Sequence, residues 1–148
     1  MTGSVSESFA RNAHSVGQSV YHFEWCPKYR FRVFEEAVLL KACEASLRRA
    51  AARHGLALLE LSVMPDHVHA VAGVPPTRAV SDAMRLLKGA SARELFQEFP
   101  KLRGRYWGGH LWSPGKFYRS VGDTTLRIVR HYVKYDNDPR QRSLSHYG

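Results

Sequence analysis

Long apolar runs are missing from this 148-residue chain. No stretch approaches the roughly 20 apolar residues that span a bilayer. The Ser-rich opening, Met1 to Gln18, lacks the apolar centre of a secretory signal. The sequence therefore points to a cytoplasmic protein with no membrane partner. Cysteine is scarce: Cys26 and Cys43 are the only two, and their spacing suits neither a zinc knuckle nor a disulfide framework. Both are expected to be reduced core residues. Acidic side chains are also few, 13 against 22 Lys plus Arg, which leaves a net charge of +9. An excess of that size favours a polyanionic partner, nucleic acid foremost. Repeats and interdomain linkers are absent. The length and a hydrophobic content of 44% fit one domain with a real core. Residues 1–18 are expected to be a flexible segment and residues 19–148 a single domain.

What is present is an ordered series of short periodic segments. Ser19 to Cys26 alternates Tyr21, Phe23 and Trp25 with Val20, His22 and Glu24, a strand that Pro27 ends. A basic, aromatic connector follows, Lys28-Tyr29-Arg30-Phe31-Arg32. Glu35 to His54 reads as a helix with Val38, Ala42, Ala45 and Arg49 along one side and Gly55 as its stop. Leu56 to Val63 and His67 to Val74 are two further strands about the turn Met64-Pro65-Asp66. Thr77 caps a second helix to about Phe99, with Val80, Met84, Leu87 and Leu95 as its stripe. The glycine-broken segment Lys101 to Ser113 reads as irregular. Lys116 to Val121 is a fourth strand, and Asp123 caps a last helix to about Asn137. The order β-α-β-β-α-β predicts an α+β, ferredoxin-like (RRM-like) antiparallel sheet with helices on one face, plus the C-terminal helix.

Three constellations carry chemistry. His67 and His69 are two apart on a strand, so their imidazoles share a face with Val68 turned away. Neutral imidazole is the commonest metal ligand, and two on one strand suit a divalent ion with open positions. On spacing alone, an exposed strand face that binds nothing is the competing reading. In the last helix, Tyr132 and Asp136 lie four apart and share a face. Helix periodicity alone favours Tyr132 as a packing aromatic. Beside a divalent ion it is a candidate nucleophile, with Asp136 as a third, carboxylate ligand to His67 and His69. Tyr135 sits on a different part of the wheel. The third constellation is basic and aromatic: Arg103, Arg105, Tyr106, Trp107, Trp112, Lys116 and Arg119 fall in one loop and strand. Cations beside rings suit backbone tracking and base stacking on a single strand. Arg78, Arg85 and Lys88 recur along the second helix, and Lys28 and Arg30 add charge to the connector.

Together these motifs resemble the single-tyrosine HUH transposases of the smallest bacterial insertion sequences, REP-associated tyrosine transposases included. His67-Val68-His69 matches the His-hydrophobic-His signature that names the group. The resemblance runs from Ser19 to Asp136. It takes in Trp25-Cys26-Pro27-Lys28-Tyr29-Arg30, Met64-Pro65-Asp66, Leu87-Lys88-Gly89, Leu111-Trp112-Ser113, Ser120-Val121-Gly122 and the tyrosine helix. It implies a homodimer whose sheets join, with the tyrosine of one subunit able to serve the His pair of the other. It implies cleavage and rejoining of single-stranded DNA through a 5′-phosphotyrosine, a need for Mg²⁺ or Mn²⁺, and recognition of DNA hairpins at element ends. One departure is Asp136, where the family usually carries Gln; Asp is itself a competent hard-metal ligand. Two other readings remain open: a non-catalytic single-strand-binding module, and a metal-dependent nuclease that uses water.

Overall fold

The computed structural model describes residues 18–115 and 117–121. Within them four strands form one antiparallel sheet: β1 (Ser19–Trp25), β2 (Ala57–Met64), β3 (His67–Val74) and β4 (Phe117–Val121). The spatial order is β2-β3-β1-β4, the ferredoxin-like arrangement. Two helices, α1 (Ala37–Arg53) and α2 (Val80–Glu98), make the crossovers, and a short α3 (Pro100–Gly104) follows. Two 3-10 turns, Lys28–Arg30 and Val33–Glu35, lie between β1 and α1.

Alternation along the strands separates two faces. Phe23, Trp25, Val68, Ala70, Ala72 and Val74 are buried in the main core with the inner side chains of both helices. Residues of the other parity form a second apolar patch, Val20, Leu59, Val71 and Val121, and continue into His22, Glu24, His67 and His69. Register makes that continuity: Glu24 stands opposite His69 across β1 and β3, and Ser62 opposite His69 across β2 and β3. The central position of β3 explains why all eight of its residues are buried.

The sequence reading is accurate for β3 and shifts elsewhere. The buried side of α1 is Leu39, Cys43, Leu47 and Ala50, while Val38, expected on its stripe, is 60% exposed. The helix begins at Ala37 rather than Glu35 because Val33–Glu35 closes as a separate 3-10 turn. Ala79, not Thr77, stands at the cap position of α2, without a side-chain cap. Lys101 to Ser113 is less irregular than expected, since Pro100 begins a turn of helix, the position where its missing N–H costs nothing. Cys43 is buried and Cys26 half-buried, both as free thiols.

Polar ties join the layers. Glu94 of α2 accepts from Ser46 Oγ (2.6 Å) and from Arg49 Nη2 (2.8 Å) of α1. Trp112 is buried, with its indole N–H donating to Ser91 Oγ at 3.0 Å. Trp112 also pairs with Pro27 as an isolated bridge, which fastens the segment before β4 to the end of β1. The expected C-terminal helix and the flexible opening lie outside the described residues.

Candidate metal and DNA site

The adjacent ends of β1 and β3 bring His22, Glu24, His67 and His69 onto one face. His67 and His69 are two apart on β3, and their rings lie 4.7 Å apart at 86°. Glu24, His67 and His69 each offer a ligand atom within 4.8 Å of the others. Glu24 Oε2 lies 3.9 Å from His69 Nδ1. A cleft of about 310 Å³ opens here, with Glu24, Arg30, His67 and Phe117 among its walls.

The environment fixes the chemical state of these groups. Burial pushes the His69 imidazole down to about 3, with the neighbouring His67 and His22 adding to the effect. His22 is also lowered, by burial first and then by Arg119 on β4. His69 is therefore neutral at neutral pH, the state in which imidazole has a lone pair to give. His22 Nε2 and His69 Nδ1 are 3.2 Å apart, so one donates and the other accepts, and the rings stack at 5°. Asp66, in the β2–β3 turn, accepts from His67 Nδ1 at 2.8 Å. A carboxylate can only accept, so Nδ1 carries a proton and the ring is held by its Nδ1 side. Arg30 Nε in turn lies 3.6 Å from Asp66 Oδ2. An oriented imidazole backed by a carboxylate is the usual support of a metal-binding histidine. Two imidazoles and a carboxylate within 4.8 Å of one another are a donor set that fits a divalent ion with open positions.

Glu24 escaped the sequence reading. Its signal was there: β1 alternates, and His22 and Glu24 have the parity opposite to the aromatics. What sequence could not supply was the register that sets Glu24 against His69. Tyr132, Asp136 and Lys116 lie outside the described residues.

The basic residues divide. Lys28 sits 5.4 Å over the Tyr29 ring, and Arg105 5.3 Å over Phe31. Arg103 and Arg105 are exposed, and Arg119 is exposed on the same sheet face as His22. Of the three basic residues expected along the second helix, Arg85 and Lys88 lie on it. Arg78 precedes the helix and is half-buried, Arg85 pairs with Asp82 in its own turn, and Lys88 donates to the Ser113 and Gly115 carbonyls. Lys88 thus ties the segment that leads into β4. The aromatic cluster divides as well: Tyr106 and Trp112 are buried, Trp107 is 94% exposed.

The ferredoxin-like sheet thus carries a buried His pair and a carboxylate on one face, with exposed arginines nearby. The family model for IS200-like transposases matches residues 15–136, and the chain belongs to that family. It is 38% identical over 123 residues to the ISDra2 transposase TnpA of Deinococcus radiodurans, covering 83% of this chain and 87% of that one. It is 30% identical over 139 residues to the transposase of insertion sequence element IS200 from Salmonella typhimurium, covering 92% and 91%. The fold superposes on the crystal structure of a candidate transposase from Deinococcus radiodurans with a TM-score of 0.65 at 37% identity, covering 80% of this chain and 90% of that one. A REP-associated tyrosine transposase solved with a REP hairpin shares the fold, with a TM-score of 0.58 at 14% identity over 86% of this chain and 68% of that one. Family membership makes this protein a DNA-processing enzyme of the single-tyrosine transposases. No described helix is long and apolar enough to cross a membrane.

Proposed function

We propose that this chain cleaves and rejoins single-stranded DNA at the ends of an insertion sequence, with Tyr132 as the nucleophile. In that reaction the Tyr132 phenol oxygen attacks a backbone phosphorus and the bond from phosphorus to the 3′ oxygen breaks. The phenol proton is released and the departing oxygen is protonated, leaving a 5′-phosphotyrosine and a free 3′-OH. The linkage conserves the energy of the broken bond, so reversal by another 3′-OH joins strands without a nucleotide cofactor.

His67, His69 and a carboxylate would hold the divalent ion, Mg²⁺ or Mn²⁺. Glu24 is the carboxylate within the described residues, and Asp136 is the further one that would arrive with Tyr132. Bound there, such an ion would supply charge stabilisation at the reacting phosphate. Asp66 orients His67, burial keeps His69 neutral, and Arg119 adds positive charge beside the cleft for the DNA backbone. Lys28, Arg30, Arg103 and Arg105 extend the basic surface, with Arg78, Arg85, Lys88 and Lys116 proposed as further DNA contacts. DNA hairpins are the proposed recognition element, by analogy with the hairpin-bound relative, and a homodimer the proposed assembly.

The observation that carries this reading is the convergence of Glu24, His67 and His69 within 4.8 Å in a chain of this family. The test is to replace His67 or His69 by Ala and follow cleavage of a hairpin oligonucleotide beside its binding. Cleavage should be abolished with binding largely kept. Wild-type turnover by either variant, still dependent on the ion, would overturn the assignment.

A further inference from the structure

We propose that the loop carrying Trp107 is a base-stacking subsite for one unpaired nucleotide of single-stranded DNA, apart from the His67–His69 cleft. The proposal rests on the DNA-processing reading above and adds a place and a ligand group to it. The groove beside the loop encloses about 490 Å³, with Pro100, Arg103, Tyr106, Trp107 and Gly108 among its walls. That lies within the usual range for a small-molecule site, and the groove shares no lining residue with the metal cleft.

The ring is presented on a fixed base. Trp25 and Trp112 are buried to 4% and 6% exposure, whereas Trp107 is left 94% exposed. Beside it Tyr106 is fully buried and stacks with Tyr29 at 6.2 Å and 10°. Phe31 and Phe96 pack against the same Tyr106 ring. The Gly109 N–H donates to the Tyr106 carbonyl at 2.8 Å, which closes a turn over Trp107 and Gly108. Gly109 has φ +77, a conformation glycine adopts freely. The Lys28 N–H donates to the Leu111 carbonyl at 2.8 Å and anchors the far side of the loop. Tyr29 and Arg30 both hold positive φ, 65° and 51°, a strained backbone of the kind that gathers at ligand clamps. From this conformation Tyr29 stacks on Tyr106.

The charge around the indole matches a phosphodiester. Lys28 Nζ and Arg103 Nη2 each lie 3.8 Å from where a Cβ would stand on Gly108 and Gly109. Among the described residues, none that lines the groove is acidic. A nucleotide with its base on Trp107 would bring its flanking phosphates to the loop that these cations adjoin. An exposed indole on a hydrogen-bonded turn, with cations against the adjoining glycines, is the kind of arrangement by which proteins hold single strands without reading sequence.

The test uses the full chain, dT12, and a 12-mer of the same backbone with abasic sugars throughout. Because Trp25 and Trp112 are buried, acrylamide quenching of the tryptophan emission reports on Trp107. Binding of dT12 should shield that emission, and the abasic strand should shield it less. Trp107→Ala should weaken dT12 binding by about 5- to 150-fold, the range for loss of one stacked base. It should also shrink the preference for dT12 over the abasic strand, and Trp107→Phe should restore part of it. Unchanged affinity and preference in Trp107→Ala, with salt-sensitive binding kept, would overturn the subsite and leave the DNA reading standing. If Trp107→Ala instead turned a dimer into a monomer in sedimentation, the ring would be covered by a second copy and the subsite refuted. A wild-type chain that did not bind dT12 at all would overturn the DNA reading, and the subsite with it.

Discussion

Replacing Asp66 should weaken the metal site without touching any proposed ligand. Asp66 Oδ1 accepts from His67 Nδ1 at 2.8 Å, with the two side chains 15% and 8% exposed. At that burial the hydrogen bond is shielded from water and fixes both the proton and the tilt of the ring. Loss of such a supporting carboxylate costs 10- to 100-fold in metal affinity. Asp66→Ala removes both the acceptor and the charge, so the upper part of that range is expected. Asp66→Asn can still offer a carbonyl to Nδ1 and should fall nearer the lower end. Arg30 is the internal control: its Nε is 3.6 Å from Asp66 and its side chain is 65% exposed, a pair that water screens to well under about 1 kcal/mol. Arg30→Gln should therefore change metal affinity by less than about fivefold. Calorimetric titration of each full-length variant with Mn²⁺, alongside a thermal melt to confirm the fold, measures this directly. Wild-type Mn²⁺ affinity in a folded Asp66→Ala would refute the argument. A loss in Arg30→Gln equal to that in Asp66→Ala would show that the charge network, not ring orientation, matters.

Other consequences are equally concrete. His69 is held neutral by burial, at about 3 against 6.5 when unfolded. A depressed folded value gives stability that is present above about pH 6.5 and lost as pH falls towards 3. Metal-free protein should melt several degrees lower at pH 5 than at pH 7.5, and His69→Gln should flatten that slope; equal slopes in the two proteins would exclude His69 as its source. Glu94→Ala removes the acceptor of the buried Ser46 hydroxyl at 2.6 Å and should cost about 1–2 kcal/mol in urea unfolding. Glu94→Gln, which keeps an acceptor, should cost less, and a neutral Glu94→Ala would mean that the tie between α1 and α2 contributes nothing.

The fold was legible because each element announced itself locally. β3 came out of the sequence with its true ends because Pro65-Asp66 and Pro75-Pro76 bracket a run of β-branched and small residues. The alternation of β1 gave the correct two faces. The first helix was misjudged at Val38, where an apolar residue on the first turn is exposed; one such residue cannot say which side meets the sheet. The placement of the basic residues of the second helix shows a similar limit. Arg78 has the right spacing from Arg85 but sits before the helix begins, and Lys88 spends its charge on the Ser113 and Gly115 carbonyls. At the site, the pairing of His67 with His69 followed from strand geometry alone. Glu24, His22 and Asp66 needed partners, because the register across β1 and β3 and the turn that carries Asp66 are tertiary facts. In the basic and aromatic loop, packing separates the core ring of Trp112 from the exposed ring of Trp107.

The central claim is that the tyrosine of the C-terminal segment makes a covalent bond to DNA beside this His–carboxylate cluster. Incubation of the full chain with a labelled single-stranded hairpin substrate and Mn²⁺, followed by denaturing electrophoresis, tests it most directly. Wild-type protein and Tyr135→Phe should give a protein–oligonucleotide band. Tyr132→Phe, which loses one oxygen and keeps the ring, should give none while still binding metal and hairpin. Persistence of the band in Tyr132→Phe, or DNA cleavage by that variant without any adduct, would contradict the account; the second result would point to water as the nucleophile.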